Sequence, residues 1–268
     1  MATVSEPVAS DDFAASEPVS NMVGSATRRT LGDQETERAI SSGISSQAII
    51  YERCHVGVGN EIHPFVVLGG PPQVKVSTVR PTSAPEDRGT TLRIGDFNVI
   101  REFVAINVGV TDAGTVVGSR NIIMSHCHIG HDASLASDCI LGSHCVIAGH
   151  VSISHHARVG GNTAVAEWVR IGSHSFIGGH SGIDRDLPPF CAAVGNRPKH
   201  VKCCNHRGLR ARFERKQMME IRGVVSLWTD RRMLYKEALL EIERQYGSTS
   251  VGQTFLAFVA ETKVGVLR

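Results

Sequence analysis

Aliphatic residues return at every sixth position through the middle of this chain. Val117, Ile123, Ile129, Leu135, Leu141, Ile147, Ile153, Val159, Val165, Ile171, Ile177 and Ile183 form an unbroken series. A period of six matches neither the helical turn nor the alternation of a hairpin strand. Four residues after each ruler position, from Ile123 onward, stand Cys127, Ala133, Cys139, Cys145, Val151, Ala157, Thr163, Val169, Ser175 and Ser181, nearly all small. One large aliphatic and one small residue per hexad predicts a triangular coil of short parallel strands, with about 18 residues per lap.

The spacing extends upstream through Ile94, Ile100 and Ile106, and through Val56, Ile62 and Leu68. Between these groups "PPQVKVSTVRPTSAPEDRGT" breaks the register, which predicts a loop thrown out at about 71–91. No hexads precede residue 44, and the acidic, Ser-rich start reads as a disordered tail over 1–43. After Ile183 the repeat stops at "DRDLPPF". Leu209, Phe213, Ile221, Val225 and Trp228 then fall near helical spacing, as do Tyr235, Leu239, Ile242 and Tyr246, and Phe255, Phe258 and Val259 suggest a last helix. The expected architecture is mainly β: a parallel β-helix over 44–190 and a C-terminal α-helical domain over 191–268.

Composition narrows the function classes. A net charge of +2 does not mark the whole chain as a nucleic-acid binder, and no apolar run is long enough to span a membrane. The chain holds 27 glycines, expected to supply positive φ at tight corners. Its seven cysteines form no CxxC pair, and the odd count without a secretory signal pattern points to reduced thiols in a reducing compartment. Cys127, Cys139 and Cys145 fall on the small core position.

The candidate chemistry lies in "IIMSHCHIGHDASLASDC", residues 122–139. Residues one lap apart should stack at about 4.8 Å. That sets Asp132 beneath His150, His131 beneath Gly149, His126 beneath His144 and His156 beneath His174. A carboxylate one rung from His150 should raise that imidazole's pKa and fix its tautomer. A histidine beside a glycine N–H suits acyl transfer, one group taking an alcohol proton and the other holding an oxyanion. Most of the remaining histidines, His144, His155, His156 and His174 among them, are expected to face solvent.

"HIGHD", followed one lap later by "IAGHVSISHHARVGGNTAV", resembles the UDP-N-acetylglucosamine O-acyltransferases that begin lipid A synthesis. "NEIHPFVVLG", "IREFVAIN", "DLPPF" and "NHRGLRARF" follow that family's landmarks in order, so the likeness covers about residues 44–268. It implies a left-handed coil, against the usual right-handed crossover, a homotrimer with sites at subunit interfaces, and a cytoplasmic enzyme. The implied reaction moves a 3-hydroxyacyl group from acyl carrier protein to the 3-hydroxyl of UDP-N-acetylglucosamine, with no metal or organic cofactor. By this resemblance His131 is the general base, Asp132 orients it and Gly149 donates to the oxyanion. His128, His150, Gln73, Asn205 and Arg212 contact substrate, and Gly179 leaves room for a long acyl chain. The basic stretch with Arg197, Lys199, Lys202, Arg207, Arg210, Arg212, Arg215 and Lys216 suits an acidic carrier protein.

The match departs from the family at Val74, Asn107, Val108, Ala166, Glu167, Trp168, Arg207 and Ala211, which bears on the acceptor sugar. Three alternatives follow: a divergent paralogue acting on another UDP-sugar, a non-catalytic scaffold on the same fold, and a zinc enzyme of the β-helical carbonic anhydrase class. The last would use the five-spaced pairs His126/His131 and His150/His155.

Overall fold

A computed structural model describes residues 28–29, 43–74, 91–198 and 200–268. Three parallel sheets make a triangular coil. One carries Ile49–Tyr51, Val67–Gly70, Ala105–Asn107, His128–Ile129, Val146–Ile147, Ala164–Val165 and Gly182–Ile183. The next carries Cys54–Val56, Leu92–Ile94, Thr115–Val117, Ser134–Leu135, Ser152–Ile153 and Arg170–Ile171. The third runs from Glu61–Ile62 through Val99–Ile100, Ile122–Ile123, Ile140–Leu141, Arg158–Val159 and Phe176–Ile177 to Cys191–Ala193. Ile129 pairs with Ile147 and Ile123 with Leu141, so a lap is 18 residues (the spacing of Ser119 and Ser137).

All twelve ruler residues are at most 2% exposed, and every small partner position is buried. Cys127, Cys139 and Cys145 are therefore core residues, as the spacing predicted. The corners differ from expectation. Arg120, His126, Asp132, Asp138, His144, His150, His156, Asn162, Trp168, His174 and His180 all take positive φ, at strict spacing six. Glycine supplies none of these eleven. Polar side chains such as Asn, Asp and His tolerate the left-handed region best, and they dominate here. The glycines after the ruler serve close approach instead: a Cβ on Gly142 would come 2.4 Å from the Gly161 nitrogen one rung up.

Two laps are longer than 18 residues. Asn60 and Asn98 are 38 apart, so that lap includes the insertion expected at about 71–91, of which 75–90 lie outside the described residues. Asn98 and Asn121 are 23 apart, a five-residue excess between Asn107 and Thr115. Both insertions leave between the first and second sheets, at the corner that later carries Asp132, His150 and Trp168.

Most of the tail expected over 1–43 lies outside the described residues. Arg28–Arg29 is described, and its backbone pairs antiparallel with Tyr51 and Ile50, so sheet pairing reaches into that stretch.

Beyond the coil, Cys203–Cys204 folds back against Cys191–Ala193. Four helices follow: α1 (His206–Leu209), α2 (Arg215–Thr229), α3 (Tyr235–Tyr246) and α4 (Ser250–Ala260). The first expected helix is thus two, broken where Arg210–Glu214 intervene. Trp228 is fully buried between Tyr235 and Phe255 and donates from Nε1 to the Leu267 carbonyl at 2.8 Å. The helices are fastened to the coil by Arg170, which bonds Asp186 at 3.0 Å and the Phe258 carbonyl at 2.6 Å and lies 4.3 Å over the Phe258 ring.

Candidate active site

His131 and Asp132 turn the corner between His128–Ile129 and Ser134–Leu135. The His131 Nδ1 lies 2.9 Å from Asp132 Oδ2. Four donors converge on that carboxylate: Val110 N–H at 3.0 Å to Oδ2, Thr111 N–H at 3.0 Å and Thr111 Oγ1 at 2.5 Å to Oδ1, and His131. Its own N–H donates to Thr115 Oγ1 at 2.9 Å. Burial alone would raise the Asp132 pKa, but the bonds from Thr111, Val110 and His131 outweigh it and hold the group below its ordinary value. An ionised carboxylate only accepts, so Nδ1 carries a proton, and in the neutral ring the lone pair falls on Nε2.

Nε2 faces the next rung. A Cβ on Gly149 would lie 2.7 Å from His131 Nε2 and Cε1, so only glycine fits opposite this ring. The Gly149 carbonyl accepts from Trp168 N–H at 3.3 Å, and no acceptor among the described residues takes the Gly149 N–H. The His131 ring thus borders a residue whose N–H is uncommitted, the two kinds of group that proton removal and oxyanion binding require.

His150 stands above Asp132 as the lap predicts, but the carboxylate is not chiefly its partner: Nε2 is 4.0 Å from Asp132 Oδ2. The expected rise in its pKa is corrected. Burial is the largest influence and lowers it, while Asp132 pulls the other way and loses. The His150 ring meets His131 edge-on at 5.0 Å and stacks on Trp168 at 3.9 Å. His128, on the outer face of the adjoining strand, is likewise lowered by burial and by His131.

The other stacking expectations hold. His126 lies under His144 at 4.7 Å, and His156 under His174 at 4.7 Å. His144 and His155 face solvent, whereas His156 and His174 are half-buried, each with a buried Nδ1 that meets no partner among the described residues. His174 is pushed down from 6.5 to about 4, first by burial and then by His156 and Arg212.

Three of the residues implied by the resemblance lie away from the Asp132 corner. Asn205 is buried at the His174 corner, giving Nδ2 to the His174 carbonyl at 2.8 Å. Arg212 is exposed near the same column, where it influences His156 and His174. Gly179 lies at the third corner, next to His180. Gln73 is exposed on the insertion that leaves from the Asp132 corner. Of the departures, Asn107 is buried and ties that insertion down through Nδ2 to the Pro71 carbonyl at 2.9 Å, while Glu167 and Trp168 are exposed directly above the site.

The zinc pairs do not converge. His126 belongs to another column, stacked between Phe103 and His144, and His155 accepts from Ser137 N–H. The one group of three potential ligand atoms among the described residues is His131, Asp132 and His150. The four donors on Asp132 leave it little capacity to bind a metal.

Sequence reasoning missed Val110 and Thr111. Their signal was visible: Ile106 and Val117 are 11 apart, a break in a ruler of six.

Residues 114–149 match the bacterial transferase hexapeptide model, described as six repeats, so fold and site together define a hexapeptide-repeat transferase on a left-handed β-helix. Residues 186–267 match domain 2 of UDP N-acetylglucosamine O-acyltransferase. The acyl-[acyl-carrier-protein]–UDP-N-acetylglucosamine O-acyltransferase of Syntrophobacter fumaroxidans is 37% identical over 81% of its own length and 80% of this chain. That of Sulfurimonas denitrificans is 50% identical over 72% of its length and 69% of this chain. The solved Francisella novicida UDP-N-acetylglucosamine acyltransferase superposes with a TM-score of 0.75 at 26% identity, covering 84% of this chain and 87% of that one. The Moraxella catarrhalis UDP-N-acetylglucosamine O-acyltransferase gives 0.74 at 29%, covering 84% and 85%. The chain belongs to the acyl-[acyl-carrier-protein]–UDP-N-acetylglucosamine O-acyltransferase family.

Proposed function

We propose that this chain transfers a 3-hydroxyacyl group from acyl carrier protein to the 3-hydroxyl of UDP-N-acetylglucosamine, the first step of lipid A biosynthesis. The observation that carries the mechanism is the His131 ring held at 2.9 Å by Asp132 with its other nitrogen against Gly149. His131 Nε2 takes the sugar hydroxyl proton, and the oxygen attacks the thioester carbonyl. The tetrahedral oxyanion accepts from the Gly149 N–H. Collapse breaks the C–S bond, and the thiolate leaves with the proton from His131. A thioester is already activated, so no covalent enzyme intermediate is needed.

Substrate binding is spread over the molecule. His128 and His150 border the base, and Gln73 extends from the insertion beneath it. Gly179 is exposed on the outer surface, where a Cβ would press on the Gly161 carbonyl at 3.1 Å; the missing side chain leaves that surface clear for a long acyl chain. Asn205 and Arg212 lie by another corner of the same copy. A homotrimer lets one copy's helical domain complete its neighbour's site. Arg210, Phe213, Arg215, Met218, Met219 and Arg222 line a cleft of about 480 Å³, basic and apolar together, suited to an acidic acyl carrier. Lys199, expected in this patch, lies outside the described residues. Buried unpaired thiols suit the reducing cytoplasm, and no described helix is long and apolar enough to cross a membrane.

Mass spectrometry of the product from UDP-N-acetylglucosamine and a panel of 3-hydroxyacyl carrier proteins tests this reading. An O-acylated product made by the wild type and abolished in His131→Ala is expected; equal inactivity of both across the panel refutes it.

A further inference from the structure

We infer that Trp168 is a positioning residue for the candidate base: its indole fixes the His150 ring square to His131 and so keeps Asp132 committed to His131. The inference rests on the acyl-transfer reading of this corner.

Asp132, His150 and Trp168 occupy successive rungs of one corner. The indole lies flat on His150, at 3.9 Å between centroids and 5° between planes. His150 in turn meets His131 edge-on, at 5.0 Å and 88°. The torsion that spins an imidazole about its ring bond is soft, so a ring with open space beside it samples many orientations. Here the indole plate blocks that rotation. The geometry matters because two imidazoles compete for one oxygen, Asp132 Oδ2, with His131 Nδ1 at 2.9 Å and His150 Nε2 at 4.0 Å. A modest turn of His150 would close the second distance and weaken the first. Trp168 is also a bulky residue with φ of 67°, half exposed, at a position most rungs give to histidine, aspartate or asparagine. Strained backbone of this kind persists where its neighbours hold it.

The charged and titratable groups facing His150 are Asp132, His131 and Glu167. Burial is the leading reason that His150 stays neutral to lower pH than an ordinary histidine. Without the indole the ring is hydrated, charges at higher pH and draws Asp132 away from His131.

The test compares Trp168→Ala and Trp168→Phe in the full chain. In Trp168→Ala, kcat should fall roughly ten- to a hundredfold, as expected for a misplaced catalytic group, with KM for the nucleotide sugar nearly unchanged. The acid limb of the kcat profile should move to higher pH. Phe, which restores a flat plate, should recover most of both effects. A substrate-independent readout is the low-field proton resonance of the His131 Nδ1–H bonded to Asp132, identified by its loss in Asp132→Asn. It should weaken in Trp168→Ala and return in Trp168→Phe. An unchanged resonance, or an acid limb that stays or moves lower, overturns the inference. A wild type without turnover whose resonance still responds as stated sinks the transferase reading and leaves the positioning role standing.

Discussion

At the residue scale the site depends on one missing methyl group. Any Cβ at 149 would occupy the space of the His131 ring, 2.7 Å from Nε2. Gly149→Ala should therefore lower kcat on the order of a hundredfold while circular dichroism and oligomeric state stay as in the wild type. Thr111→Val removes the hydroxyl at 2.5 Å from Asp132 but keeps the backbone donors. Steady-state kinetics should show kcat reduced several-fold, and the acid limb moved upward because the carboxylate loses a bond that lowers its pKa. The His131–Gly149 contact was legible in the sequence because both residues lie on one counted column. The Thr111 contact was not, because it comes from the loop that breaks the count, and no period predicts where an irregular loop returns.

At the scale of the rung, the pattern named the buried positions correctly but assigned the corners to glycine. The hexad leaves one residue per corner in left-handed backbone, and histidine, aspartate and asparagine, which tolerate it better than most side chains, fill most of those corners. Stacking of those corner residues has a pH consequence. His174 falls to about 4 in the folded chain against an ordinary 6.5. Between those values the unfolded chain binds the proton and the native chain does not, so native stability falls as pH drops from about 6.5 towards 4. Urea unfolding at pH 7 and pH 5 should show a smaller loss in His174→Phe than in the wild type. The helical domain was legible as a class but not in its divisions. Leu209 and Phe213 keep helical spacing across the break between α1 and α2, and spacing alone cannot distinguish a break from a turn.

At the scale of the whole molecule, the Asp132 corner and the pair Asn205 and Arg212 lie on different edges of one prism. If copies share sites, His131→Ala and Arg212→Ala chains unfolded together and refolded as mixed trimers should regain about a quarter of wild-type activity, since a quarter of the interfaces join two intact halves. Neither variant refolded alone should recover. Failure of the mixture to exceed its parents would show that each copy works by itself. One sequence could not reveal this, because column counting relates residues within a copy and is silent about the next.

Both extra-long laps depart at a single edge, and this sets where the gene can change length. Removing one codon between 131 and 149 would shift every later residue by one position, parting the imidazole from the glycine that must face it. Removing one codon within 109–113 would loosen the clamp on Asp132 but leave that pairing intact. A library of single-residue deletions, scored for growth, should therefore show survivors gathered at one edge of the coil, and that edge would mark the reactive groove without any substrate being supplied.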